Sequence, residues 1–259
     1  MAIVYLFAAS WLEWPQNLSA WYRWISTAVI LAALPVLVLR WLNPPITGHM
    51  LCTRLGWVAN QEKPRSVSHQ WVGIEGMASV MLLAALVSED AYFFWHCGFN
   101  PVEIWRAYQY NLHERRPGQM RRGGSTISQQ VAKNVFLLPQ AVGRASALTA
   151  IQSYLRKMIE AVFTLLIEGL WSKRRILEMY LNVVYFGDGM FGVEAAARHF
   201  FDRPALMLNA DQAALLTAAL RRPQIYRVAD PPDYMREIQA GILKRMAWCG
   251  EELLLQLDD

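Results

Sequence analysis

The sequence predicts a mainly α-helical domain that is preceded by one membrane-spanning helix. Period-2 alternation of apolar and polar residues, which is typical of strands, is almost absent, and apolar runs of helical length dominate. Of the 259 residues, 54% are hydrophobic and 18% are charged, whereas about 25% charge is usual in globular chains. This composition excludes a disordered or collagen-like chain and favours contact with a membrane.

Charge and aromatic content narrow the range of partners. The net charge is +4, from 25 Lys and Arg against 21 Asp and Glu, which favours an anion such as nucleic acid, an acidic lipid or a phosphorylated substrate. The 11 Trp, 10 Tyr and 10 Phe residues suit a bilayer interface better than a nucleic-acid groove, so we expect no nucleic-acid partner. Cys52, Cys97 and Cys249 form no CxxC pair, which argues against a disulfide framework and a zinc site.

Residues 21–42 are predicted to be a transmembrane signal anchor. The run from Trp24 to Leu39 contains no charge, Arg23 and Arg40 flank it, and aromatic residues stand at both ends. Its length approaches the roughly 20 residues that a bilayer requires, and no convincing cleavage site follows. A buried core helix and an uncleaved signal-peptide core are the alternatives. Because the two flanking arginines balance, they do not decide the orientation.

The other segments are predicted from helix breakers and helix formers. Residues 1–20 have no assigned role, and residues 43–68, which begin with Asn43-Pro44-Pro45, are expected to form an irregular linker. Residues 69–259 form the main domain, in which the basic stretch from His113 to Gly124 predicts a mobile loop. The predicted helices are Met77–Val87, Pro101–Leu112, one capped by Ser125 and ending near Leu137, Ala147–Trp171, Lys173–Val183, Val193–Phe201, one beginning at Asn209 or Asp211, and Tyr234–Leu257.

The first cluster of candidate catalytic residues follows the helix Met77–Val87. Two adjacent carboxylates, Glu89 and Asp90, are followed by four consecutive aromatic residues and by His96. If this segment is helical, Glu89, Phe93 and His96 share one face. A carboxylate beside aromatic rings is poorly hydrated, which raises its pKa and suits a general base near neutral pH. An acidic helix end with an ordinary structural histidine is the alternative.

The second cluster is a glycine pair before a hydroxyl-rich helix start, from Gly123 to Asn134. Glycines at this place expose backbone N–H groups to an anion. Gln130, Lys133 and Asn134 lie on one helical face, which offers amide groups and a cation to a phosphate or a sugar. The alternative is an ordinary capped amphipathic helix, and the lack of a Walker pattern excludes a P-loop.

The third cluster is Arg156-Lys157-Met158-Ile159-Glu160, with Glu168 eight residues further on. Arg156 and Glu160 stand at i, i+4, a spacing that usually forms a surface ion pair. Because the residues that follow are largely apolar, we expect this pair to be half buried, which favours a functional role only modestly.

In their order and spacing, these clusters resemble the motifs of the peptidoglycan glycosyltransferases, glycosyltransferase family fifty-one. The resemblance extends from about Val80 to Pro223. Its five motifs contain Glu89, Asp90, Phe93, His96 and Gly98; Gly123, Ser125, Thr126, Gln129, Gln130, Lys133 and Asn134; Arg156, Lys157 and Glu160; Lys173 to Asn182 with Phe186 and Gly187; and Gly192 to Ala197 with Phe200 and Phe201. The turn Leu220-Arg221-Arg222-Pro223 departs from the Leu-Pro-x-x-P of the family, and the residues before Trp21 match no family pattern.

The resemblance implies a lysozyme-like, mostly helical fold with a membrane-associated jaw and an activity that polymerises lipid II. The donor is a growing glycan on a polyprenyl diphosphate, and the anomeric centre is inverted in one displacement. By resemblance, Glu89 is the base for the acceptor 4-hydroxyl. Lys133 and Arg156 neutralise the departing diphosphate. Glu160 is a second carboxylate that positions substrate or holds a divalent ion, Mg or Mn.

Further expectations follow from the same resemblance. No organic cofactor is expected, and the chain is expected to be a monofunctional member, since no penicillin-binding domain follows. We expect a single-pass protein of the bacterial inner membrane with a periplasmic catalytic domain, membrane lipid as a partner, and contacts with the division or elongation machinery. The expected substrate-binding residues are Asp90, Phe93, His96, Gly98, Ser125, Thr126, Gln129, Gln130, Lys133, Asn134, Arg156 and Lys157.

Two other functions are compatible with a helical chain of this kind. A lytic enzyme of similar fold would cleave the same glycan with a single Glu acid. It needs neither a Lys and Arg clamp for a diphosphate nor a membrane anchor. A non-catalytic scaffold of the division machinery would keep the helices and lose the catalytic residues, all of which are present here.

Overall fold

The computed structural model describes residues 20–56, 65–114, 123–139, 147–221, 223, 228–250 and 252–257, and most of these residues are helical. The helices are α1 (Ala20–Leu39), α2 (Gly48–Leu55), α3 (Ser79–Glu89), α4 (Pro101–Gln109), α5 (Ile127–Phe136), α6 (Ala147–Leu170), α7 (Lys173–Val183), α8 (Val193–Phe201), α9 (Ala210–Ala219), α10 (Asp233–Cys249) and α11 (Glu252–Leu255). Short 3-10 turns lie at Ile74–Gly76, Phe93–Trp95 and Ala205–Met207, and a π-helical turn, Tyr110–Glu114, follows α4. The predicted mainly α-helical class is confirmed.

The helices α7 and α9 begin where the sequence predicts because both have strong N-caps. Ser172 accepts a hydrogen bond from the N–H of Arg175 at the start of α7. Asn209 caps α9 and forms a reciprocal capping box with Gln212. Both α7 and α8 have the predicted bounds.

Several predicted boundaries differ from the structure. The helix predicted over Met77–Val87 runs over Ser79–Glu89, and the helix predicted over Pro101–Leu112 ends at Gln109. Thr126, not Ser125, caps α5, since its hydroxyl accepts a hydrogen bond from the N–H of Gln129. The helix predicted over Tyr234–Leu257 is interrupted at Gly250, where a φ of +63° ends the helical backbone. Residues 1–19 and 115–122, which include most of the predicted mobile loop, lie outside the described residues.

The irregular conformation expected for residues 43–68 is wrong for α2. Thr47 caps this helix by accepting a 3.3 Å hydrogen bond from the N–H of Met50, and Gly56 ends it in the left-handed conformation. Met50 is buried against Tyr185 and Phe191. This tertiary packing provides stability that so short a helix lacks by itself.

A small three-stranded sheet, which the sequence did not predict, lies beside the helices. It consists of β1 (Ser68–His69), β2 (Tyr185–Gly187) and β3 (Met190–Phe191) in the order β1-β3-β2. The strand β3 pairs in parallel with β1 and antiparallel with β2. Strands this short carry no period-2 pattern, which is why the sequence does not reveal them.

The helix α3 lies in the centre of the hydrophobic core. The helices α9 and α10 pack against it, while α5 packs against α6 and α7. Met81, Ala84 and Leu86 of α3 have no solvent exposure, as expected for a helix that is apolar on all sides. The core therefore fixes the direction of α3 and the position of its last residue, Glu89.

The C-terminal part of α1 is joined to the rest of the structure by hydrogen bonds. The indole Nε1 of Trp171 donates to the carbonyl of Val36 over 2.7 Å. Arg175 donates to the carbonyls of Leu39 and Leu42 over 2.9 and 2.8 Å, which places a cation at the negative end of the helix. Among the described residues, no helix combines the length and the apolar character that crossing a membrane requires.

Candidate active site

Glu89 ends α3 and is half-buried. Its Oε2 accepts a 2.9 Å hydrogen bond from the side-chain amide of Gln130, which lies on α5. Burial raises the pKa of Glu89, while the hydrogen bond from Gln130 and the charges of Arg221 and Lys133 act in the opposite direction. A raised pKa is the direction predicted from the sequence, and it suits a carboxylate that must accept a proton near neutral pH.

The common helical face predicted for Glu89, Phe93 and His96 is wrong, because α3 ends at Glu89. A turn follows and carries Phe93 into the core, where it is fully buried. Nδ1 of His96 accepts a 3.0 Å hydrogen bond from the N–H of Gly98. The proton of the neutral imidazole is therefore on Nε2, which donates to the carboxylate of Asp90 at 3.0 Å.

Asp90 and Gly98 bind this turn to its neighbours. The buried carboxylate of Asp90 accepts a 3.0 Å hydrogen bond from the N–H of Ile127, at the positive end of α5. The carbonyl of Gly98 accepts a 2.6 Å hydrogen bond from the hydroxyl of Thr126. Gly98 has a φ of +89°, and a Cβ there would lie 2.5 Å from Cγ2 of Thr164. The turn after Glu89 is thus fixed to both α5 and α6.

Several predicted substrate-binding side chains take part in these internal contacts. Asp90, Phe93 and His96 hold the turn, while Thr126 and Gln129 form the capping box of α5. Through these contacts the side chains position the turn after Glu89 and the start of α5. Direct contact of these side chains with substrate stays a prediction.

Lys133 lies on α5, close to other charged groups. The side chain is exposed, yet loss of hydration lowers the pKa of Lys133, and the cations Lys157 and Arg156 act in the same direction. The charges of Glu160 and Glu89 raise it. The structure therefore brings residues of the first and third predicted clusters within electrostatic reach of Lys133, which belongs to the second.

The predicted ion pair between Arg156 and Glu160 is wrong. The guanidinium of Arg156 donates instead to the carbonyl of Leu138, just beyond α5. Glu160 is buried and pairs with Lys157 at i, i+3. Helical spacing alone does not distinguish i, i+3 from i, i+4 partners, and it cannot reveal an acceptor on a different segment. The two cations of this motif, Arg156 and Lys157, thus have different partners in the structure.

A polar network surrounds the turn after Glu89, and sequence reasoning, which noted Glu168 only beside the third cluster, missed its contacts. Nζ of Lys173 donates to Glu168 at 2.8 Å and to the carbonyl of His96 at 2.7 Å. It also lies 4.6 Å from the ring centroid of Phe93. The hydroxyl of Ser128 donates to Glu168. Ser128 and Lys173 lie inside recognised motifs, but their common partner, Glu168, is 40 residues away from Ser128 along the chain.

Arg221 is a second group that sequence reasoning did not assign to the site. It is exposed in the turn after α9, and its charge lowers the pKa of Glu89. The only available signal was that this turn departs from the family pattern. Ser125 is exposed just before α5, and Asn134 is half-buried on it. Substrate binding by Ser125 and Asn134 stays a prediction.

A divalent ion at Glu160, as predicted, would require oxygen ligands around this residue. Within the part of the chain that the structure describes, no three His, Cys, Asp or Glu side chains come together as metal ligands. Glu160 is one carboxylate that is already paired with Lys157. Magnesium is usually held by one or two carboxylates together with substrate phosphates. Glu160 fits such a shared site and not a site made of protein alone.

These groups define a class of enzyme. A half-buried carboxylate with a raised pKa, Glu89, lies within electrostatic reach of Lys133, and Lys133 in turn of Arg156 and Lys157. A proton acceptor and a place for an anion are therefore close together. Both are needed by a transferase that activates a hydroxyl group and expels an anionic leaving group.

Comparison with known proteins agrees with this class. Residues 56–247 match the family model described as Transglycosylase. The chain is 39% identical to the biosynthetic peptidoglycan transglycosylase of Pasteurella multocida over 245 residues, which are 95% of this chain and 94% of that protein. Proteins of the same name from Aeromonas hydrophila (40% identity, 90% and 92% of the two chains) and Shigella sonnei (45% identity, 74% of each) are also similar. The chain belongs to the transglycosylase family, which confirms the resemblance seen in its motifs.

Proposed function

We propose that this protein polymerises lipid II into glycan strands and releases polyprenyl diphosphate. Its broader class, a peptidoglycan glycosyltransferase of cell wall synthesis, is confirmed by the family model and by the names of its relatives. The observation that carries the finer proposal is the proximity of Glu89 to Lys133, which in turn lies near Arg156 and Lys157. Lipid II suits this site because it supplies both a hydroxyl to be deprotonated and a diphosphate to be expelled.

Glu89 acts as the general base in this proposal. It accepts the proton of the acceptor 4-hydroxyl while that oxygen attacks the anomeric carbon of the donor. Its raised pKa makes the carboxylate a better proton acceptor near neutral pH. Gln130 holds one oxygen of Glu89 in place, and the buried helix α3 fixes the direction of the side chain. Attack on the face opposite the diphosphate inverts the anomeric centre.

Lys133 and Arg156 stabilise the leaving group in this proposal. Negative charge on the diphosphate grows as its bond to the sugar breaks, so nearby cations bind the transition state more tightly than the ground state. Glu160 supports this role because its charge raises the pKa of Lys133 and so favours the protonated ammonium. We propose that any Mg or Mn ion is held between Glu160 and the diphosphate, where it would neutralise part of the phosphate charge.

We further propose that the chain is anchored in the bacterial inner membrane by residues 21–42, with its catalytic domain in the periplasm. Support comes from apolar side chains that are exposed on α1 and α6. They are Val29, Leu31, Leu34, Leu37 and Val38 on α1, and Ile151, Tyr154, Leu155, Met158, Ile159, Val162 and Leu165 on α6. An exposed apolar surface of this extent is typical of contact with lipid or with a partner.

The helix α6 connects the membrane proposal to the chemistry. Arg156, Lys157 and Glu160 lie among its exposed apolar residues. A lipid-linked diphosphate could therefore place its phosphates at these charges and its polyprenyl chain along the apolar side of α6. We propose that this helix belongs to the membrane-associated jaw of a lysozyme-like fold.

The activity is tested with labelled lipid II and the full-length chain in detergent. We expect glycan strands to form with wild-type protein and not with Glu89→Gln. Purified glycan strands are given to the same protein as a second substrate. Cleavage of those strands without polymerisation would support a lytic enzyme, and inactivity toward both substrates would support a scaffold; either outcome overturns the proposal.

For the topology, protease added to spheroplasts should digest the catalytic domain, and protection would contradict a periplasmic location.

A further inference from the structure

His49 lies in the first turn of α2, outside the sequence motifs that carry the family resemblance. Its imidazole packs against two aromatic rings of the small sheet. The ring centroid lies 5.3 Å from that of Tyr185 and 5.1 Å, edge-on, from that of Phe191. These ring contacts hold the side chain in place against the small sheet.

The first turn of α2 meets the segment that receives Arg156. A Cβ on Gly48 would lie 3.1 Å from Cδ2 of Leu138 and 3.6 Å from the carbonyl oxygen of Leu137. The carbonyl of Leu138 is also the acceptor for the guanidinium of Arg156. The start of α2, the end of α5 and the middle of α6 therefore converge at one place. Lys133 lies one helical turn before Leu137, at i, i+4.

The charges that act on His49 are positive. Burial, together with the smaller effects of the charges of Lys133, from α5, and Arg156, from α6, lowers the pKa of His49 to about 4. The strands β2 and β3 present the rings of Tyr185 and Phe191 to it. The imidazole is accordingly neutral near pH 7 in the free protein. A diphosphate near the two cations would reverse the sign of the local field and favour the imidazolium.

We propose that His49 is a third member of the anion site of Lys133 and Arg156, and that it binds the substrate diphosphate with uptake of one proton from solvent onto a ring nitrogen. The inference rests on the proposed function, since it assigns the diphosphate to these cations. Protonated His49 adds a charge-assisted hydrogen bond to the phosphate oxygens. Its neutral form in the free protein avoids repulsion with Lys133 and Arg156 before substrate enters.

The test measures proton uptake by titration calorimetry of the full-length protein in detergent with inorganic diphosphate. Titrations in two buffers of different ionisation enthalpy give the number of protons taken up per diphosphate. His49→Gln removes the basic nitrogen, and His49→Phe keeps an aromatic ring against Tyr185 and Phe191. His199→Gln, at an exposed position of α8, is the matched control. Protonation of the diphosphate itself is common to all four proteins and cancels in the comparison.

We expect wild type and His199→Gln to take up more protons than both His49 variants near pH 6.5, and the His49 variants to bind diphosphate about tenfold more weakly. The difference in affinity should shrink as the pH rises, since protonating His49 then costs more. Equal proton uptake and equal affinity in all four proteins would overturn the role of His49. If wild type also polymerises lipid II, only this inference fails, whereas absence of polymerisation by wild type contradicts the proposed function itself.

Discussion

The side-chain amide of Gln130 donates a 2.9 Å hydrogen bond to Glu89 and so joins the end of α3 to α5. The adjacent residue, Asp90, accepts a hydrogen bond from the N–H of Ile127 on the same helix. Two consecutive carboxylates thus accept hydrogen bonds from α5, but they differ in burial. Asp90 is buried and holds the turn, whereas Glu89 is only half-buried.

Glu89→Gln should remove the activity and stabilise the fold. The variant keeps an oxygen that can accept from Gln130 but cannot take a proton, so we expect polymerisation to fall by at least about a hundredfold. Because burial raises the pKa of Glu89 above its unfolded value, the folded state binds this proton more tightly. Stability is therefore lost as pH rises through the folded-state pKa, and Gln avoids this cost.

Polymerisation assays and thermal melts at neutral and acidic pH check the prediction. The melting temperature of Glu89→Gln should exceed that of wild type at neutral pH, and the difference should shrink in acid. Glu237→Gln, at an exposed position of α10, should leave both properties unchanged. A Glu89→Gln variant that keeps more than about a tenth of the wild-type rate would refute the base assignment.

Features with local signals could be predicted from the sequence. The bounds of α7 follow from the cap at Ser172. The motifs also single out Glu89, Lys133 and Glu160, and the structure brings both carboxylates within electrostatic reach of Lys133. The predictions that were wrong concern features that depend on residues far away along the chain. The helix α2 is stabilised by packing of Met50 against strand residues more than a hundred positions away, and sequence reasoning sees only the Pro and Gly residues around it.

Long-range partners also explain the errors inside the site. The ion pair expected from the spacing of Arg156 and Glu160 gives way to a carbonyl acceptor at Leu138, 18 residues away. The turn after Glu89 depends on Lys173, which reaches the carbonyl of His96 across 77 residues. Motif patterns identify such residues as a group, but the contacts that divide them into reactive and positioning residues arise only from the folded chain.

Gly98→Ala should destabilise the protein. The backbone φ of +89° disfavours any L side chain, and the new methyl group would lie 2.5 Å from Cγ2 of Thr164. Strain and overpacking together should cost more than about 2 kcal/mol in the free energy of unfolding. Gly241→Ala is the control, since no atom lies within 4 Å of its Cβ position and alanine favours a helix interior by up to about 1 kcal/mol.

Chemical denaturation of both glycine variants measures these effects. We expect the unfolding midpoint to fall for Gly98→Ala and to stay equal or rise for Gly241→Ala. The same strain would move the turn that holds His96 and Asp90, so activity should fall even where the variant is folded. An unchanged midpoint for Gly98→Ala would show that the turn relaxes without cost, contrary to the geometry described above.

His49 should make the stability of the protein depend on pH in mild acid. The pKa of His49 is about 4 in the folded protein, against 6.5 for an unperturbed histidine. The unfolded chain therefore binds this proton more tightly. The contribution to stability is fully present above pH 6.5 and is lost as pH falls toward 4, by at most about 3 kcal/mol. His49→Phe, which keeps the ring packing, should not show this loss.

Denaturant unfolding of wild type and His49→Phe at several pH values tests that dependence. As the pH falls from about 7 to about 4.5, the unfolding free energy of wild type should decrease relative to that of His49→Phe. Parallel pH profiles for the two proteins would contradict the lowered pKa. This measurement uses no ligand, so its result is independent of whether His49 binds a diphosphate.

The last prediction concerns Lys133 and Arg156, which lie on different helices and act on one place in the site. If both face a diphosphate whose charge grows during bond cleavage, removing either cation should lower kcat more than it lowers lipid affinity. Arg156→Lys should also be harmful, because a single ammonium cannot reproduce a planar guanidinium that binds two oxygens at once. In the structure this guanidinium already contacts the carbonyl of Leu138, so its position is fixed before substrate binds.

If the two residues form only surface contacts, Ala substitutions should cost less than about 1 kcal/mol in stability and leave turnover intact. Steady-state kinetics on Lys133→Ala, Arg156→Ala and Arg156→Lys, with thermal melts beside them, distinguish these cases, and Arg236→Ala, at an exposed position of α10, controls for loss of positive charge. Near-normal turnover of both Ala variants would contradict the role of these cations in stabilising the leaving group.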